Sequence, residues 1–164
     1  MIMRGGEGSE VKRGGMLRSL YRGCAAALLF VTGPVMWGQA FAGTVKRVSG
    51  DVTLRRGSTR ATVKEGLHLL ERDVLETPAG GSVGFILRDG TRVAMGANAT
   101  VEIDRYLFDP GEGKVGMLLR VVRGTMVYVS GKMGVLSPES VKVETPVGVV
   151  GLRGTEFGVS LEGK

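Results

Sequence analysis

The sequence predicts an all-β domain, a short β-solenoid-like or twisted, stacked β-sheet, behind a cleaved signal peptide. Three observations predict it. After Gly43 the apolar residues fall in short valine-rich runs with a period of two rather than 3.6. Turn signals built on glycine separate those runs, and the 164 residues include 28 glycines. A strand–turn–strand pattern also occurs twice, beginning Thr77-Pro78-Ala79-Gly80 and Thr145-Pro146-Val147-Gly148. A unit repeated in this way is expected to stack on its copy, because neither buries its apolar face alone.

Residues 1–15 are glycine-rich, charged and nearly free of apolar side chains, so they are expected to be disordered or untranslated, with Met16 the better start. Residues 16–42 read as a signal peptide. Arg18 and Arg22 form a positive n-region, Cys24 to Trp37 an apolar stretch, and Ala40-Phe41-Ala42 a small–x–small cleavage site. The apolar stretch contains Gly33 and Pro34 and is shorter than the roughly twenty residues that a membrane span needs. Cleavage after Ala42 removes Cys24, the single cysteine, and with it any disulfide or thiolate chemistry. Five of the 22 basic and two of the 16 acidic residues precede Gly43, so the formal charge of +6 falls to +3 in residues 43–164. With no basic run and few aromatics, nucleic acid is not an expected partner.

The mature segment is long enough for one domain with a modest core. Val45 and Val48 are followed across Gly50-Asp51 by Val52 and Leu54, a turn between two strands. Arg55 to Lys64 is polar and is expected to cross the surface. Leu67, Leu69, Leu70, Val74 and Leu75 make the next apolar group. Gly81 to Leu87 and Thr91 to Met95 read as a hairpin across Asp89-Gly90, the strongest local turn signal in the chain. Ala99 to Ile103 alternates, with Val101 and Ile103 on one face and Glu102 and Asp104 on the other, and Tyr106-Leu107-Phe108 continues it. Asp109 to Lys114 has the composition of a loop. Met117 to Val122 and Thr125 to Val129 read as two strands around Arg123-Gly124. Within Gly131 to Ser140, Met133, Val135 and Leu136 suit a short helical turn or a plug at one end. Val141 and Val143 alternate with Lys142 and Glu144 until Pro146, which lacks an N–H for a ladder and should bend or end the strand. Val147, Val149 and Val150 form another β-branched run. Gly151 and Gly154 then allow a turn into Thr155-Glu156-Phe157-Gly158-Val159.

Little here suggests catalysis. His68 is the lone histidine and has no identifiable carboxylate or second ligand, so it reads as a surface or rim residue. Asp104, Asp109 and Glu112 lack the spacing of a calcium loop. Ser82, Ser130, Ser137 and Ser140 have no base beyond His68, and neither a nucleophile elbow nor a phosphate loop is present. No cofactor and no metal are expected.

The ordered landmarks Gly50-Asp51-Val52, Asp73-Val74-Leu75-Glu76-Thr77, Asp89-Gly90-Thr91 and Arg153-Gly154-Thr155-Glu156-Phe157 cover nearly all of the chain after the leader. In that order they resemble the FecR domain of bacterial envelope proteins. The resemblance implies a periplasmic, non-catalytic protein-interaction module linked to envelope signalling. In better-known members the domain belongs to a transmembrane regulator that takes a signal from an outer-membrane receptor and controls a cytoplasmic sigma factor. The form expected here is a stand-alone one, without the cytoplasmic anti-sigma region. The family usually carries glycine before the aspartate of the second landmark. This chain has Arg72 there, which is strained if the position takes positive φ.

The candidate structural or recognition positions are Asp89, Gly90, Thr91, Thr145, Pro146, Arg153, Gly154, Thr155, Glu156 and Phe157. Arg153 is expected to pair with a carboxylate or with turn carbonyls, and Thr155 to cap its turn. The expected partner is another envelope protein, whose strand pairs with open edges at the Val45 and Val159 ends. The alternative is a cell-wall or glycan-binding element. That reading requires exposed aromatics for sugar stacking, to be drawn from Tyr106, Tyr128, Phe85, Phe108 and Phe157.

Overall fold

A computed structural model of the chain describes residues 41–151 and 156–161. The segment 1–15, the signal peptide up to residue 40 and the Arg153-Gly154-Thr155 turn lie outside the described residues.

The fold is all-β, one twelve-stranded sheet that curls around a single core. In order the strands are β1 (Phe41–Ser49), β2 (Thr53–Arg56), β3 (Thr59–Thr62), β4 (His68–Leu70), β5 (Asp73–Glu76), β6 (Ser82–Leu87), β7 (Arg92–Met95) and β8 (Thr100–Asp109). There follow β9 (Lys114–Val129), a short helix α1 (Lys132–Leu136), β10 (Val141–Thr145), β11 (Gly148–Gly151) and β12 (Glu156–Leu161). The sheet runs β3-β2-β5-β8-β9-β7-β6-β1-β4, with β10, β11 and β12 added beside β9. All pairings are antiparallel except that of β9 with β10.

Two-residue alternation places the core. β6 buries Val83, Phe85 and Leu87 and leaves the residues between them half-buried. Across three strands, Ile103, Leu119 and Val143 lie side by side and are fully buried, each worth about 1.5–3 kcal/mol of burial. In β8 the alternation changes phase. An irregularity between Ile103 and Arg105 shifts the register, so that Tyr106 points into the core while Arg105 faces solvent.

The Arg88–Thr91 turn joins β6 and β7 as expected, closed by Leu87 N–H donating to the Thr91 carbonyl at 2.8 Å. Met117 to Val129 is one bent strand rather than two. Its first half pairs with β8 and β10 and its second with β7 and β12. The bend is at Gly124, with φ of 81°, where an added Cβ would collide with the Ala99 backbone. Gly50-Asp51 is a corner and not a hairpin, since β1 pairs with β4 and β6 while β2 pairs with β3 and β5. The polar segment after Arg55 does lie on the surface, but as a β2–β3 hairpin whose second strand is exposed throughout.

The two Thr-Pro-x-Gly copies do not stack as rungs on one another. Each opens a turn into a strand, but β6 pairs with β1 and β7, and β11 pairs with β10. The difference starts at the threonines. The buried Thr77 hydroxyl accepts from Ala99 N–H and donates to the Gly96 carbonyl, whereas the exposed Thr145 hydroxyl donates to the Gly148 carbonyl of its own turn.

β1 begins at Phe41, two residues before the expected mature start. Ala42 is fully buried and its carbonyl accepts from Arg88 N–H at 2.9 Å. Val45 therefore lies on no open edge, because β1 is paired on both sides; β4 arrives from residues 68–70 to cover the side expected to be free.

Candidate interaction site

In the Asp89-Gly90-Thr91 signature the two side chains face inward and Gly90 is exposed at the turn. Asp89 and Thr91 are fully buried, and the turn between β6 and β7 sets their side chains against Tyr106 of β8, Tyr128 of β9 and the start of α1. Thr91 Oγ1 donates to Asp89 Oδ2 at 2.6 Å, and Thr91 N–H reaches Oδ1 at 3.3 Å. From β8, the Tyr106 hydroxyl donates to Asp89 Oδ1 at 3.3 Å and accepts from Asp89 N–H at 2.9 Å. At the start of α1, Lys132 N–H donates to the Asp89 carbonyl at 2.8 Å and Met133 N–H approaches Oδ2 at 3.4 Å. Gly131 N–H donates to Thr91 Oγ1 at 3.1 Å. Only glycine fits at 131, because a Cβ would collide with the backbone at Thr91 and Asp89.

The carboxylate thus replaces the side-chain cap that α1 lacks and holds Met133 in the core. Burial pushes the Tyr106 phenol far up, with the nearby Asp89 charge adding to it, and burial likewise raises Tyr128. These groups fasten the fold and present no chemistry to solvent.

A second pin joins β2 to the β4–β5 turn. Arg56 grips the buried Asp73 through both carboxylate oxygens, at 2.8 and 2.7 Å, and also donates to the His68 carbonyl. The hydrogen bond to Asp73 raises the Arg56 pKa further. Beside it, Arg72 has φ of 68°, the left-handed conformation that the family's glycine would take without cost. His68 is exposed; its ring meets Phe41 edge-on at 4.9 Å, and Nδ1 is 3.5 Å from the Thr44 hydroxyl.

On the outer face of the sheet Arg120 is surrounded by Glu102 at 3.3 Å, Asp104 at 3.5 Å and Glu144 at 3.2 Å. The hydrogen bond to Glu144 and the charge of Asp104 hold its guanidinium charged. Sequence reasoning missed this cluster, since the four residues come from three strands. Asp109 instead accepts from Glu112 N–H in a turn, and Glu112 pairs with Lys114. Among the described residues no group of three or more His, Cys, Asp or Glu side chains could hold a metal ion. Of the aromatics named for glycan stacking, Phe85, Tyr106 and Tyr128 are buried, while Phe108 and Phe157 are half-buried against the core.

What the domain does present is its C-terminal edge. Thr145-Pro146 ends β10 and turns the chain into β11, which pairs with β10 alone among the described residues. All four β11 residues are exposed, and Val147, Val149 and Val150 retain 86, 61 and 39% of their surface. These valines form an apolar run on an edge with no charge, proline or bulge inside β11. β12 pairs with β9 alone among the described residues and carries Glu156 and Phe157. Phe157 packs on Tyr128 at a centroid distance of 5.2 Å, and Glu156 is exposed. Arg153, Gly154 and Thr155, which connect the two edge strands, lie outside the described residues. The expected Val159 edge is therefore present, and β11 is a second edge that the sequence showed only as a valine run.

The family profile described as FecR protein matches residues 73–164, more than half of the chain. No curated protein and no solved structure matches it. Among the described residues no helix is long and apolar enough to cross a membrane.

Proposed function

The chain belongs to the FecR family, and from that premise we propose that it is an exported, non-catalytic module of the envelope that binds another envelope protein by strand addition. FecR domains act in envelope signalling with other proteins. The finer reading places the mature domain in the periplasm after removal of residues 16–42 and puts the partner's strand on β11. The exposed valines of β11 carry this reading. A backbone edge whose outward N–H and C=O groups pair with no strand among the described residues supplies affinity, and Val149 and Val150, on opposite faces of the strand, supply side-chain selectivity.

Thr145-Pro146 directs the chain onto the edge. Photo-crosslinking in living cells from Val149 tests the proposal. It predicts capture of one envelope protein from that position and none from Arg60 on the polar β3 edge. Capture of nothing, or the same products from both positions, would overturn it. Fractionation and N-terminal sequencing of the native product test export separately: a product retaining its leader inside the cell would rule it out.

A further inference from the structure

Resting on the export proposed above, we propose that the leader is cut between Ala40 and Phe41, two residues before the expected site, so that the mature protein begins at Phe41. Between Trp37 and Val45 two bonds have glycine or alanine at both the first and the third position before the cut. Gly38-Gln39-Ala40 precedes one and Ala40-Phe41-Ala42 the other. Both satisfy the small–x–small pattern, and the folded domain tells them apart.

The domain uses both residues that the later cut would discard. Ala42 is fully buried in the core, and its carbonyl accepts from Arg88 N–H at 2.9 Å. Phe41 pairs with Leu70 of β4 and sets its ring edge-on to His68 at 4.9 Å. A cut after Ala42 takes the acceptor from Arg88 and shortens the pairing that joins β4 to β1. The new chain end is the sharper discriminator. Hydrolysis of either amide consumes one water and leaves a carboxylate on the leader. On the domain it leaves an α-amino group, charged below its usual pKa of about 8. After Ala42 that charge would sit on Gly43, which is buried and paired with Leu69 on one side and Leu87 on the other. The backbone there lies so close to Ile86 and Leu87 that not even a Cβ fits. Burying an ammonium group in such a place is costly. After Ala40 the charge sits on Phe41, which keeps 38% of its surface open to water. The earlier cut leaves β1 whole and its charged end in solvent.

Expression of the whole precursor with its own leader, followed by N-terminal sequencing of the processed protein, tests this. The first residue should be Phe41, and the Arg88 amide should be protected from exchange in that product. Gly38→Leu breaks the pattern before the earlier bond and touches neither the pattern before the later one nor any residue of the domain. It should leave the precursor uncut or shift the first residue to Gly43. Any product beginning at Gly43 should exchange the Arg88 amide faster than the wild type does. A wild-type product that begins at Gly43, or a Gly38→Leu product that still begins at Phe41, would overturn the placement of the cut and leave export standing. A product that keeps its leader in the cytoplasm would instead overturn export, and the cut with it.

Discussion

Tyr106→Phe removes one oxygen from the buried knot around Asp89, and the structure sets its cost. The hydroxyl accepts from Asp89 N–H at 2.9 Å and donates to Asp89 Oδ1 at 3.3 Å. Its loss leaves a buried backbone N–H without that acceptor, about 1–3 kcal/mol, and deletes a hydrogen bond to a charged group whose length puts it at the low end of the usual 1.5–3 kcal/mol. The expected sum is about 2–4 kcal/mol, a large share of the ~5–15 kcal/mol typical of a domain. Urea denaturation reads it. With a slope of about 1–3 kcal/mol per molar for a small protein, the midpoint should fall by about 1 M or more without a change in slope. Asp89→Asn should be destabilising too, with faster amide exchange at Met133, whose N–H the carboxylate holds. The double variant should cost less than the sum of the two, because they share one hydrogen bond. A Tyr106→Phe loss below about 0.5 kcal/mol, or strict additivity with Asp89→Asn, would show that the knot does not fasten the fold.

Arg72→Gly should stabilise the protein by about 1 kcal/mol, since it relieves a left-handed L-residue at the cost of some unfolded-state entropy; a lower melting temperature would refute the strain. Gly124→Ala should destabilise strongly and disturb both halves of β9, because the new methyl meets the Ala99 backbone, and neutral stability in urea would contradict the bend. The pH dependence follows from the two buried tyrosines. Their folded pKa values lie above the unfolded value near 10, so the unfolded chain loses its protons first. Stability should hold through neutral pH and fall above about pH 10, by up to roughly 1.4 kcal/mol per pH unit for each tyrosine, with Tyr106→Phe halving the slope. A flat profile to pH 11 would refute it.

Local pattern was legible in the sequence wherever one residue decides its own orientation. The alternation of Val141 and Val143 and the Asp89-Gly90 turn both follow from side-chain chemistry within a few residues, whereas the positive φ at Arg72 was expected only through the family resemblance. Pairing partners were less legible. That β4 covers the far side of β1, or that β9 serves both halves of the sheet, depends on contacts between segments distant in the chain. The change of phase at Asp104 was hidden because Arg105 and Tyr106 both fit a continuing strand. The inward turn of Asp89 could have been suspected from Tyr106 and Tyr128, whose hydroxyls need partners when buried, but not located. At the C-terminal edge, the valines of β11 were visible as apolar residues and their exposure was not.

Hydrogen exchange across β11, measured alone and with the crosslinked partner bound, tests most directly whether this edge receives a strand. The account predicts that β11 amides pointing away from β10 exchange quickly in the isolated protein and become protected in the complex. Protection already complete in the isolated protein, or exchange unchanged by the partner, would contradict it.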